Sequence, residues 1–256
     1  MGVLKFDNVD DAVSFSSLDS TIANLGLGAW TCAALFRRVS DSGDTDAISY
    51  VSLSGSATEA GMSLELNDRA SVDVAGGSTG STSFTNTANP YLWAISKAGG
   101  SATPRIGWKL GSGGAWTHEN LGSAIGNQGT GDALDIGTWI GGDPANMWIG
   151  LVGYWSGVLS DAQKQELGTN WQTSDWHNNS FGQPVFLCEL NVTPANLVDL
   201  EANCVFNVST GTTLDAGETL NSWNFNGVGT GAQVPPATKP DVRKHPKYLV
   251  AGRRTV

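Results

Sequence analysis

An all-β fold, two antiparallel sheets packed face to face, is what this sequence predicts. Three observations predict it. Apolar residues recur with a period of two in short runs along most of the chain. Glycine is 33 of 256 residues, nearly double the usual ~7%, and Ser, Thr and Asn crowd between the runs as tight-turn residues do. Only one segment reads convincingly as a helix, and a lone short helix among many strands excludes an alternating βαβ architecture.

The elements follow in order. Leu4 and Phe6 share one strand face, as do Val13 and Phe15, with the acidic turn Asp7-Asn8-Val9-Asp10-Asp11 between them. Trp30, Cys32, Ala34 and Phe36 form a clean stripe ending in Arg37-Arg38, before a polar turn from Ser40 to Asp46. Strands are expected at Ile48 to Leu53, at Met62-Leu64-Leu66 and at Val72-Val74, the last closed by Gly76-Gly77. Residues 78–90 are Ser/Thr/Gly/Asn-rich and read as a loop. Tyr91-Trp93-Ile95 and Ile106-Trp108-Leu110 read as a hairpin across Ala98-Gly99-Gly100-Ser101. Leu134-Ile136-Thr138 precedes a loop from Trp139 to Met147, and Trp148 to Trp155 alternates apolar with small residues as a central strand does. The helix begins at Ser160, with Gln163 at the capping-box position and Asp161 at the positive end of the dipole, and runs to about Gly168.

Beyond Asn170 the pattern weakens. Phe186-Cys188-Leu190, Val198-Leu200, Cys204-Phe206-Val208 and Asn221 to Phe225 are strand candidates, either added to the same sandwich or forming a small appendage. Gln233 to Pro240 is a Pro-rich extended linker. The expected organisation is therefore a β-sandwich over 1–175, additional β structure over 176–232, and a basic tail over 233–256.

Two segments resemble a known family. Leu4-Lys5-Phe6-Asp7-Asn8-Val9-Asp10-Asp11-Ala12-Val13 resembles the first-strand pattern of laminin-G-like, concanavalin-A-like jelly-roll domains. Val158-Leu159-Ser160-Asp161-Ala162-Gln163-Lys164-Gln165-Glu166-Leu167 resembles the segment after their last core strand. The resemblance spans roughly residues 3 to 170 and implies a jelly roll. It does not fix a function, because this fold hosts lectins, adhesins, hydrolases and inert structural parts.

Charge narrows the partners. The net charge of −10 argues against nucleic acid. Residues 239–256 carry +5 while the other 238 carry −15, so a cationic tail follows an acidic body. Arg243, Lys244, Lys247, Tyr248, Arg253 and Arg254 are the expected docking residues, for an acidic partner or a second copy; the alternative is a solvated terminus. No apolar run approaches the ~20 residues of a membrane span. Met1-Gly2-Val3 leads straight into the first strand with no export signal in view, so assembly in a cytoplasm is expected. Cys32, Cys188 and Cys204 are expected as buried thiols, although Cys188 and Cys204 lie where they could pair.

Ten Trp suggest sugar stacking, but Trp30, Trp93, Trp108, Trp148 and Trp155 fall in strand stripes and are expected in the core. Trp116 and Trp139 sit instead beside Gly-rich turns with polar neighbours. Trp116, His118, Trp139, Asp143 and Asn146 are therefore the candidate carbohydrate-binding residues. Asp7, Asp10 and Asp11 offer the oxygens that Ca2+ takes, and relatives in the resembled family often bind calcium through several loops; the competing reading is Asx-turns. Enzymatic motifs are absent. Glu65-Leu66-Asn67-Asp68 lacks the same-face carboxylate spacing of jelly-roll glycanases, and His118, His177 and His245 have no ordered catalytic partners in sequence.

The reading that joins a lectin-like fold to a chain with no export signal is a bacteriophage virion protein. It would be a minor tail or decoration protein, assembled in the host cytoplasm as a trimer or ring, with an outward sandwich meeting host-surface glycan. A stand-alone bacterial carbohydrate-binding module or lectin is the alternative, and a glycan-active enzyme ranks below both.

Overall fold

The computed structural model describes residues 2–7, 9, 11–40, 46–52, 59–65, 68–72, 78–111, 114–127, 129–138, 145–169, 176–220 and 223. Among them, fifteen strands form two antiparallel sheets. In chain order they are β1 (Val3–Asp7), β2 (Ala12–Ser16), β3 (Trp30–Arg38), β4 (Asp46–Ser52), β5 (Glu59–Glu65), β6 (Arg69–Val72), β7 (Ser78–Ser83), β8 (Tyr91–Lys97), β9 (Arg105–Leu110), β10 (Thr117–Asn120), β11 (Ala133–Ile136), β12 (Asn146–Ser156), β13 (Phe186–Glu189), β14 (Val205–Thr210) and β15 (Thr213–Asp215). The helices are α1 (Ser20–Ala23) and α2 (Asp161–Thr169).

The eight-stranded sheet runs β10-β9-β8-β3-β12-β1-β15, with β13 also on β12; the seven-stranded sheet runs β14-β2-β11-β4-β5-β6-β7. The expected β-sandwich is therefore present. The acidic turn after β1 is not a hairpin: β1 and β2 belong to different sheets, so it carries the chain from one layer to the other. The late strands join the same two sheets, with β13 on β12, β14 on β2 and β15 on β1.

Alternation decides the core. Cys32, Ala34 and Phe36 of β3, Trp93 and Ile95 of β8, and Val13 and Phe15 of β2 meet between the sheets, with Trp30 and Trp93 fully buried. The intervening Ala33, Leu35, Leu92 and Ala94 face outward, into a second apolar layer made with Leu167, Trp176, Leu187, Leu220 and Trp223. On β12 a register shift between Ile149 and Leu151 keeps both layers supplied. Met147 and Ile149 point inward before it, and Val152 and Tyr154 inward after it, while Leu151 and Trp155 serve the outer layer. The small residues of this strand make room. A Cβ on Gly150 would lie 2.8 Å from Leu220 Cδ1, and one on Gly153 would lie 2.9 Å from the Trp155 ring.

The sheets are also tied by a buried ion pair. Arg38, fully buried on β3, pairs with Asp68 between β5 and β6 at 2.7 Å and donates to the Phe84 carbonyl. The three cysteines are buried free thiols.

Two local expectations need correction, and one element went unread. Residues 78–90 are not all loop, because β7 occupies Ser78–Ser83. It has no apolar stripe: it is an edge strand held by its pairing to β6, and Gly80 leaves space for Glu119 and Leu121 of the other sheet. Val198-Leu200 is not a strand. There the buried Asp199 carboxylate gathers the N–H groups of Leu187, Glu201, Asn203 and Cys204, which bends the chain into a turn. The short helix α1 was not legible as apolar periodicity; Asp19 caps it by accepting from Thr21 and Ile22.

Candidate functional site

Strand register brings several candidate residues to one end of the sandwich. Asp7, the last residue of β1, lies opposite Asn146, the first of β12. The next residue after β3, Val39, donates to the Asn146 carbonyl. β8 starts, β9 ends and β10 starts at the same end, with Tyr91 opposite Leu110 and Thr117 opposite Trp108. Asp11 and Trp116 thus flank the same rim, next to the starts of β2 and β10. Trp139, Asp143, Asp10 and the docking residues Arg243, Lys244, Lys247, Tyr248, Arg253 and Arg254 lie outside the described residues.

The acidic turn is occupied with its own backbone. Asp7 Oδ1 accepts from Val9 N, and Asp11, 1% exposed, accepts from Asp7 N through Oδ2. This is Asx-turn chemistry. Among the described residues no three His, Cys, Asp or Glu side chains converge as metal ligands, so Asp7 and Asp11 by themselves do not compose a calcium cage. Asn146 is half-buried and donates through Nδ2 to Ser40 Oγ at 2.7 Å.

Trp116 and His118 belong to the flank next to that rim, where β9, β10 and α2 meet. Here α2 is placed by its cap: Ser160 N donates to Gln163 Oε1 at 2.8 Å and Gln163 N donates to Ser160 Oγ at 3.3 Å, the reciprocal capping box. Its C-terminal turn is apolar, with Gly168 so close to the Trp116 indole that a Cβ would lie 2.5 Å from Cζ2. Its first turn is charged. Asp161 accepts from Arg105 Nε at 2.9 Å and Nη2 at 2.6 Å, while Arg105 Nη1 donates to Asn120 Oδ1 at 3.2 Å. Lys164 is fully buried and donates to the Arg105 carbonyl at 2.8 Å.

Within this frame the Trp116 and His118 rings stack, with centroids 5.8 Å apart and planes 9° from parallel. His118 lies over Gly107, its partner on β9, where any Cβ would sit 2.7 Å from the imidazole. Its Nε2 is 3.1 Å from Gln165 Nε2 and its Nδ1 is 3.2 Å from Asp161 Oδ1. An amide nitrogen only donates, so His118 Nε2 accepts and the ring proton sits on Nδ1, a buried nitrogen close to Asp161 but not aligned for a hydrogen bond.

Electrostatics agree with a neutral ring. Burial pushes the His118 pKa down, against the pull of Asp161 and with further lowering from Lys164 and Arg105. Hydrogen bonds from Arg105 hold the Asp161 carboxyl below its ordinary value. Burial lowers Lys164 to about 8.

Sequence reasoning found Trp116, His118 and their strand neighbour Asn120, but missed Arg105, Asp161 and Gln165 as their partners. Two signals were available. Trp116, His118 and Asn120 stand at i, i+2 and i+4 on one strand face, and Asp161 and Gln165 at i and i+4 on one helix face. His177, by contrast, is fastened to Glu201 at 2.6 Å, away from this cluster.

No family model matches the chain, and no curated protein matches it. Among solved structures, the chain is similar to the native heptameric SAP-like pentraxin from Limulus polyphemus, at 11% identity over 64% of this chain and 80% of that one, with a TM-score of 0.43. It is similar to the enzymatically active domain of bacteriophage CBA120 tailspike protein 2, at 12% identity over 64% of this chain and 27% of that one, TM-score 0.45. A third likeness is to the Ruminococcus gnavus IT-sialidase CBM40, at 9% identity over 62% of this chain and 93% of that one, TM-score 0.38. The chain spans about a quarter of the tailspike domain and most of the other two. At these identities and TM-scores the likeness carries neither ligand nor activity to this chain.

Proposed function

We propose that this chain is a non-catalytic, glycan-binding β-sandwich of laminin-G-like type, carried on a bacteriophage particle as a minor tail or decoration protein. The observation that carries the glycan reading is the parallel Trp116–His118 stack on an edge strand, bordered by exposed amides. An aromatic face beside directional polar groups matches the two faces of a sugar ring, one apolar and one hydroxylated. Asn146 on the adjoining rim, with Trp139 and Asp143, belongs to the same proposal.

The virion part rests on the sequence. The two segments that resemble laminin-G-like domains and the +5 tail behind a −15 body suit a display domain with a separate anchor, holding the chain to other virion proteins or to its own copies.

Binding of the purified chain to bacterial cell walls and a glycan panel tests the first part, with and without a calcium chelator. Saturable binding is expected; absence of binding to every surface overturns the glycan reading. Release of reducing ends from any bound polysaccharide would overturn the non-catalytic reading. Deleting residues 235–256 is expected to abolish incorporation into particles while leaving a folded sandwich, and normal incorporation would remove the anchoring role.

A further inference from the structure

The strip beside α2 has a composition that narrows the ligand. Trp116, just before β10, and His118 and Asn120 on it face the same side, spanning roughly 13 Å at the rise of a strand, longer than one pyranose ring. Arg105 of β9 lies opposite Asn120, and α2 supplies Asp161 and Gln165 along the border. The charged groups of this strip are engaged within it. Asp161 holds Arg105 through two guanidinium nitrogens, and Lys164 is buried beneath on the Arg105 carbonyl. His118 sits between the Asp161 carboxylate and the Gln165 amide.

What remains for a ligand is neutral. Asn120 spends Oδ1 on Arg105 and keeps Nδ2 as a donor; Gln165 spends Nε2 on His118 and keeps Oε1 as an acceptor. Both residues are exposed, and the half-buried indole of Trp116 closes the rim end of the strip. An anionic ligand would approach the Asp161 carboxylate, and a cationic one the Arg105 guanidinium. Either would meet a like charge standing beside its own partner in a half-exposed pair, so a net charge on the ligand gains little here. Vicinal hydroxyls need only a donor and an acceptor at fixed spacing, which two amides held by a rigid network provide.

We propose that Trp116, His118, Asn120 and Gln165 form the sugar-contacting strip and that it takes an uncharged oligosaccharide, with Asn120 and Gln165 as the specificity-determining pair. This rests on the glycan-binding reading above. It confines that reading to the β10–α2 flank and assigns Arg105, held by Asp161, the task of positioning Asn120.

The experiment is calorimetric titration of the full chain with neutral and acidic oligosaccharides, for the unmodified protein, for N120A/Q165A and for N207A on the exposed side of β14. Neither amide of the pair is part of the core, so melting temperatures of all three should agree. Binding of a neutral oligosaccharide that weakens at least tenfold in N120A/Q165A and is unchanged in N207A supports the proposal. Undiminished binding in N120A/Q165A overturns it, and if a further variant, N146A, loses binding instead, the contact returns to the rim with the glycan reading intact. Preference for an acidic oligosaccharide, with affinity falling as salt rises, overturns the uncharged class. If the unmodified chain binds no oligosaccharide at all, the glycan reading and this strip fall together.

Discussion

The two sheets treat their outer faces differently. The eight-stranded sheet is buried on both sides: Leu35, Leu92, Ala94, Leu151 and Trp155 face outward beneath α2 and the segments around Trp176 and Trp223. The seven-stranded sheet alternates apolar with polar, with Ser14 between Val13 and Phe15, Ser63 between Met62 and Leu64, and Asp135 between Leu134 and Ile136. On that face Ser14 Oγ donates to the Asp135 carboxylate. A strand apolar on both faces reads as a continuous apolar run, and one with a polar outer face as clean alternation, even where, as at Ser63, that face is itself buried. The cover over the eight-stranded sheet changes character along α2, apolar at Leu167 and Gly168 and charged at Asp161 and Lys164. The proposed strip lies at that change, where the cover meets the sheet edge.

The largest effect expected is in the layer shared by the sheets. Trp93→Ala should cost about 3–5 kcal/mol and lower the urea midpoint accordingly, with both sheets melting together. Leu220→Ala, in the outer layer over Gly150, should cost about 2–3 kcal/mol and raise exchange around Trp223 before the inner strands respond. Equal loss of protection in both sheets would show that the outer layer is not separable from the core.

Charge under α2 gives the next effect. Above about pH 8 the folded chain has released the Lys164 proton, which the unfolded chain holds to about 10.4. The unfolded state then binds more protons, so this residue makes stability rise with pH between those values, by at most about 1.4 kcal/mol per pH unit. Relative to Lys164→Met, the unmodified chain should therefore gain stability from pH 8 to 10 in denaturant titrations; a flat difference would show that the ammonium is solvated. Smallest is the cap. Ser160→Ala should cost about 1 kcal/mol and loosen α2 without altering the inter-sheet core.

The same contrast explains what was legible. Strands with their own pattern, such as β2, β3, β8 and β12, were readable, as was the capping box of α2. Strands defined by their neighbours were not. β7 is Ser-Thr-Gly-Ser-Thr-Ser and β10 is Thr-His-Glu-Asn, and neither carries a stripe because each is an edge strand. Val198-Leu200 alternated but yielded to the Asp199 carboxylate, a tertiary and local hydrogen-bond effect invisible to periodicity. In the candidate site, Trp116 and His118 stood out by residue type. Asn120 was visible as their neighbour along the strand, but Gln165 was not, because only the docking of α2 on β9 and β10 brings it to the stack.

Amide hydrogen exchange of the full chain, with and without a saturating neutral oligosaccharide, tests the central claim most directly. The account predicts slowed exchange in residues 116–120 and 160–166, with the strands 12–16 and 133–136 of the seven-stranded sheet unchanged. Protection confined to 12–16 and 133–136 would contradict it, placing the ligand on the polar outer face of the other sheet.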